Sequence, residues 1–178
     1  MQRAAVFLAA TLFTFTAAAI ELEDGTLLFD EETPVPAQVF ALETCGADEH
    51  GMATRRPFAG GFLFAFQCPG NNENSVQTLI FAGDESGTDA HLMVFPLPAH
   101  RGGGTQDTLS NIRRYPDTNE LAEIFVDREM EQRVDPNICR TEGRWRLEEN
   151  PPEPRLVFWR ETADCEGKTG WKVVVGTP

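Results

Sequence analysis

Phe58-Ala-Gly-Gly-Phe-Leu-Phe-Ala-Phe-Gln-Cys68 is the stretch on which the fold turns. Phe62, Phe64 and Phe66 alternate with Leu63 and Ala65, and a period of two carried by aromatic residues marks a β-strand. Both alternating sets are apolar, so the strand needs cover on both faces and belongs inside a sheet. Pro69-Gly70-Asn71-Asn72 follows with turn chemistry. Val76-Gln-Thr-Leu-Ile-Phe-Ala82 reads as the return strand, the acidic run from Gly83 to Asp89 as a hairpin loop, and Ala90-His-Leu-Met-Val-Phe95 as a third strand stopped by Pro96 and Pro98. Short strands separated by turn residues make an antiparallel meander.

Working outward, the C-terminal third repeats the plan. Arg144-Trp-Arg-Leu-Glu148 alternates, with Trp145 and Leu147 on one side and charges on the other. Asn150-Pro-Pro-Glu-Pro154 is a rigid turn. Arg155-Leu-Val-Phe-Trp-Arg-Glu161 is the return strand, with Phe158 expected across from Trp145. Trp171-Lys-Val-Val-Val175 closes a second meander. Between the meanders, Arg101-Gly-Gly-Gly-Thr105 is a flexible break that lacks the Gly-Lys-Ser/Thr of a phosphate loop. Residues 106–118 read as polar and irregular. Residues 119–131 stand between helix by composition and strand by the β-prone core Ile124-Phe125-Val126. Towards the N-terminus, residues 46–57 read as a polar loop, and Gln38-Val-Phe-Ala-Leu42 as a first strand or a short helix. The expected class is all-β: antiparallel meanders forming a small sandwich or barrel in a single domain over residues 20–178.

Met1-Gln-Arg3 and the uncharged run from Ala4 to Ala19 form a basic start, an apolar middle and a small-residue exit. This is the pattern of a cleaved signal peptide over residues 1–19. The run is short for a membrane anchor, which needs about 20 apolar residues, and three threonines dilute it. The expected location is therefore periplasmic or secreted, with no stable membrane insertion after cleavage. The whole chain has a net charge of −13. Loss of Arg3 leaves 14 basic against 28 acidic residues, or −14. Such a charge argues against nucleic acid and anionic lipid and suits a basic partner. Four cysteines, Cys45, Cys68, Cys139 and Cys165, in an exported chain read as two disulfides. Of the three possible pairings, the clustering favours Cys45 with Cys68 and Cys139 with Cys165. Each would close a loop of about 25 residues and stabilise by roughly 3–4 kcal/mol in the chain-entropy model.

Cys139-Arg-Thr-Glu-Gly-Arg-Trp-Arg-Leu, Leu156-Val-Phe-Trp-Arg-Glu, Asp164-Cys-Glu-Gly and Gly170-Trp171 together resemble the end of the bacterial "domain of unknown function 1176" family. Those exported proteins carry a Cys-x-x-x-Gly-x-Trp pattern, a Cys-x-Gly and a closing Trp. Phe66-Gln-Cys68-Pro-Gly-Asn is similar to that family's earlier Cys-containing hairpin. The similarity spans roughly residues 58–175, although this chain is shorter than expected of full members and its acidic loop at 83–89 does not align. The resemblance implies a β-rich exported domain, pulls 119–131 towards strand, and implies no activity.

No catalytic constellation stands out. His50, His91 and His100 are not spaced as ligands and read as solvated side chains. Ser75, Ser86 and Ser110 lack the nucleophile elbow. Asp84, Glu85 and Asp89 lack the alternating pattern of a calcium loop. No catalytic, metal or cofactor-binding residue is assigned. Trp145, Trp159 and Trp171 read first as core aromatics; the sharper alternative is an exposed aromatic face for a partner. The functional expectation is a non-enzymatic binding or envelope-associated domain with a basic periplasmic partner such as a lytic enzyme. The alternative is a hydrolase using a carboxylate pair, which a concave pocket holding two carboxyls would favour.

Overall fold

The structure, a computed structural model, describes residues 20–22, 25–30, 33–47, 52–69, 74–128, 135, 137–148 and 151–176. The expected leader at 1–19 and His50 lie outside the described residues. About half the chain is strand and 7% helical, in antiparallel sheets, as the sequence leads one to expect.

The first sheet is ordered β1 (Ile20–Glu21), β2 (Leu27–Leu28), β3 (Ala53–Phe58), β4 (Gly61–Gln67), β5 (Val76–Ala82), β6 (His91–Leu92). The aromatic strand is β4, central between β3 and β5. Its alternation splits the interior in two. Phe64 and Phe66, with Ile80 and Ala82, face a layer formed by Val39 of the short helix α1 (Ala37–Phe40) and by Phe29, Val35, Phe40 and Leu42. Leu63 and Ala65, with Leu79 and Phe81, face the other way. Gly87, in the loop after β5, lets the backbone reach that helix: a Cβ there would lie 2.2 Å from Val39 Cγ2.

A two-stranded ribbon follows, β7 (Phe95–Leu97) with β8 (Gly104–Gln106), and β9 (Thr108–Ser110) then joins the first sheet against β5. The second sheet is a meander of β10 (Arg113–Tyr115), β11 (Glu120–Val126), β12 (Arg140–Glu148), β13 (Glu153–Thr162) and β14 (Lys172–Val175). Leu121, Trp145, Leu147 and Trp159 from this sheet meet Leu63, Leu79 and Phe81 from the first, with Met93, Phe95 and Leu109 between them. Two open sheets face to face over a shared core make a sandwich. The disulfides are Cys45–Cys68, which ties the segment after α1 to the end of β4, and Cys139–Cys165, which ties the start of β12 to the loop between β13 and β14.

Several local expectations change. Residues 53–58 form a strand rather than a loop. The polar run Thr54-Arg-Arg-Pro57 hides it, because Arg55 lays its stem along the sheet with its guanidinium 5.1 Å from the Phe62 ring centre and 3.1 Å from Glu85. The third strand breaks at buried Met93, and β7 continues through Pro96, tolerated because β7 pairs on one side only. The break at 101–105 is a 3₁₀ turn (Ala99–Arg101) leading into β8. Residues 106–118 hold β9 and β10, with the crossing between sheets at Asn111. The ambiguous 119–131 segment is strand from Glu120 to Val126, and 129–131 lie outside the described residues. A bulge between Arg144 and Trp145 shifts the hairpin register, so Phe158 pairs with Arg144 and Trp145 with Leu156.

Candidate functional site

Strand β11 carries the centre of the site. Its alternation sends Leu121, Glu123 and Phe125 to the inner face, so a carboxylic acid stands in a row of apolar residues. Across the sheet Glu123 aligns with Gly143 and then Trp159, and two positions on Phe125 aligns with Thr141 and then Glu161. Gly143 has no side chain for a reason of packing: a Cβ there would lie 2.5 Å from Trp145 and 2.8 Å from Trp159.

Where this row meets β8 and β9 the sandwich opens into a cleft of about 460 Å³. Glu123 and Trp159 line it from the second sheet, Gln106, Thr108 and Ser110 from the facing strands, and Arg101, Asp127, Asp135 and Ile138 border it. That volume lies within the range of sites that hold a small molecule or an inserted side chain. The lining is predominantly apolar, with a few convergent polar groups.

Glu123 is 5% exposed. The Gln106 amide donates to its Oε2 at 2.8 Å, and the Ser110 backbone N–H donates to its Oε1 at 2.9 Å. Burial pushes its carboxyl above the usual range, against the opposing pull of Gln106 and of the Ser110 backbone and hydroxyl. Glu161, also buried, goes the other way. Burial works against its ionisation, but Trp159 Nε1, His100 Nε2 and Arg101 Nε, each 2.8 Å from Oε1, together hold it below the usual range. Glu161 opens into an adjoining cavity of about 600 Å³, which shares Arg101, Asp135 and Ile138 with the first. Thus one sheet face holds two carboxyls of opposite tendency, opening into neighbouring cavities.

An asparagine pair braces the cleft. Buried Asn74 donates to the Val126 carbonyl at 2.7 Å and accepts from the Val126 N–H at 3.1 Å. Asn111 donates to Asn74 Oδ1 at 3.0 Å and to the Ile124 carbonyl at 2.9 Å. These bonds tie the start of β5 and the end of β9 to the end of β11, one sheet to the other.

The three tryptophans do not form a shared exposed face. Trp145 is fully buried, edge-on to Phe95 and Trp159, and donates to the Pro96 carbonyl at 2.8 Å. Trp159 is 4% exposed and lines the cleft. Strand alternation turns both inward. Trp171 is half-buried on the other face of β13, where Arg160 stacks 4.1 Å from its ring centre. That outer face continues through Phe158, Arg144 and Tyr115, with Glu142 pairing both Arg144 and Arg160.

The cysteines are consumed in disulfides, and Cys139 forms part of the cleft wall. His91 packs on Phe81. His100, expected in solvent, is exposed and also bonds Glu161 through Nε2. The Asp84 carboxylate serves its own loop, accepting from Ser86 Oγ and from the N–H groups of Gly87 and Thr88. Glu123, Arg101 and Glu161 did not emerge from sequence motifs. The available signal was a charged residue at an apolar-face position of a strand, visible only once β11 is known to be a strand. Compared with protein-family models, curated proteins and solved structures, the chain matches none of them.

Proposed function

We propose that this chain is an exported, non-enzymatic binding domain, that the cleft beside Glu123 is its working surface, and that its partner is a basic protein. The observation that carries this reading is the cleft itself: a concave opening between two sheets, fixed in shape by the Asn74–Asn111 brace and ending on a buried carboxyl. Two disulfides fit an oxidising, non-cytoplasmic compartment, and the leader at 1–19 supports the periplasm or secretion. Among the described residues no helix is long and apolar enough to cross a membrane. The net charge of −14 after loss of the leader would steer a basic partner, such as a cell-wall lytic enzyme, towards this surface. Membership of the "domain of unknown function 1176" family is part of the proposal and adds no activity to it.

The hydrolase reading draws on the same acid. A buried carboxyl raised above its usual range suits a general acid, and Asp127 and Asp135 border the same cleft, but the binding reading also accounts for the apolar lining and for the net charge of −14 after loss of the leader. The binding reading is therefore preferred. A salt titration of a pull-down from periplasmic extract tests it. A basic protein retained at low ionic strength and released as salt rises is the expected result. Absence of any basic partner even at low ionic strength would end the proposal.

A further inference from the structure

We infer that the cleft receives a single cationic head group, the ammonium or guanidinium of a lysine or arginine side chain on the partner, with Glu123 as its counter-ion. This rests on the cleft being the binding surface.

Three observations converge. First, Glu123 lines the cleft while its described donors come from one side only, the β8–β9 side. A carboxylate offers about four lone-pair sites. Gln106 Nε2 and the backbone and hydroxyl of Ser110 fill at most three, which leaves room for a donor from within the cleft. Second, the groups around it favour positive charge. Among the described residues, the charged groups bordering the two adjoining cavities are Asp127 after β11, Asp135 ahead of β12, Arg101 and His100 from the 3₁₀ turn, and Glu161 and Lys172 from β13 and β14. Arg101 is already paired with Glu161, so among the described residues of the first cavity an entering cation meets Glu123 and Asp135 rather than a free guanidinium. Third, the lining formed by Leu97, Phe125, Ile138 and Trp159 suits the aliphatic stem of a long basic side chain, which packs on apolar surface while its head finds a carboxylate.

The chemistry follows from burial. Alone in the cleft Glu123 is raised above its usual range, because burial desolvates its charged form. When a cation enters, the carboxyl forms a charge-assisted hydrogen bond with it, and where Glu123 was protonated its proton passes to solvent. Over the pH range in which Glu123 is protonated in the free protein, binding is therefore coupled to proton release, and affinity rises with pH by at most about tenfold per unit until Glu123 is ionised there.

The test uses three acetylated, amidated tripeptides, Gly-X-Gly, with X as arginine, lysine or citrulline, the last an uncharged isostere of arginine. They are titrated into the full mature chain and followed by the Ser110 and Glu123 amide resonances and the Glu123 carboxyl carbon. The arginine and lysine peptides are expected to shift both amides and move the carboxyl carbon to its ionised position. The citrulline peptide is expected to bind at least about tenfold more weakly. E123Q, checked for an unchanged amide spectrum elsewhere, should remove the preference for charge. If E123Q fails to fold, the pH dependence of the arginine peptide on the wild-type chain decides. Equal binding of the citrulline and arginine peptides in the cleft, or affinity independent of pH, would overturn the cation site while leaving the cleft as a binding surface. No shift at Ser110 and Glu123 with any peptide would also overturn it. Failure of the binding reading itself shows separately, as absence of a basic partner in the extract.

Discussion

Glu123 and Glu161 share one face of the second sheet and are pushed in opposite directions, which gives them opposite effects on stability. A carboxyl whose folded pKa lies above its ordinary value of 4.5 binds more protons when folded. Its contribution therefore becomes less favourable as pH rises from that value through the raised one. E123Q should then be more stable than wild type at neutral pH, with the difference vanishing below about pH 4.5. Thermal unfolding at the two pH values checks this, and a variant less stable at neutral pH would contradict it. For Glu161 the sign reverses. Its folded pKa is depressed, so its contribution is present above the ordinary value and is lost as pH falls through the depressed one. E161Q should cost about 1.5–3 kcal/mol at neutral pH, since Arg101, His100 and Trp159 lose a charged acceptor. The cost should shrink in acid, as read by urea unfolding. At this scale the sequence is least informative. A run such as Glu120-Leu-Ala-Glu-Ile-Phe-Val126 contains two acids of equal appearance. Only the face of the strand decides that Glu123 goes inward while Glu120 pairs with Arg146 on the outer side.

Strands whose side chains alternate with aromatics were legible in the sequence, and strands made of polar residues were not. Strand β4 announces itself because Phe62 to Phe66 supply apolar groups to both faces. Strands β3 and β9 do not, because burial of Arg55 stems or of a lone Leu109 depends on which neighbour covers them. The Gly-x-Trp pattern was visible as letters, and the structure gives its meaning: Gly143 leaves space for Trp145 and Trp159 to meet edge-on, with ring centres 6.1 Å apart. G143A should destabilise by about 1–3 kcal/mol through overpacking and perturb the indole signals of both tryptophans; a neutral substitution would contradict this packing. The Asn74–Asn111 brace makes a second prediction. N74A removes an amide that bonds Val126 in both directions and should cost about 1–3 kcal/mol. Hydrogen exchange should then quicken at Val126 and Ser110 before it does in the β12–β13 hairpin. Uniform change across the sandwich would show that the brace does not hold the cleft.

Over the whole molecule, class and staples followed from coarse features. An even number of cysteines in two groups pointed to local pairings, and Cys45–Cys68 and Cys139–Cys165 are the bridges formed. The meander at each end of the chain gave the two sheets. Their stacking over a common core, and the opening left where β8 and β9 meet β11, could not be read from spacing, because they depend on contacts between residues far apart in the chain. Charge belongs to this scale too: the −14 left on loss of the proposed leader would draw a basic partner near without choosing its seat. The seat is the central claim, and filling the cleft tests it most directly. Thr108 lines the opening from β9, so T108W should block it while leaving net charge unchanged. The measurement is the dissociation constant of the basic partner captured from extract, determined by calorimetry on the wild-type chain and on T108W with a matching thermal midpoint. Weakening of at least about tenfold at equal ionic strength is predicted. An unchanged dissociation constant would place the partner elsewhere and contradict the account.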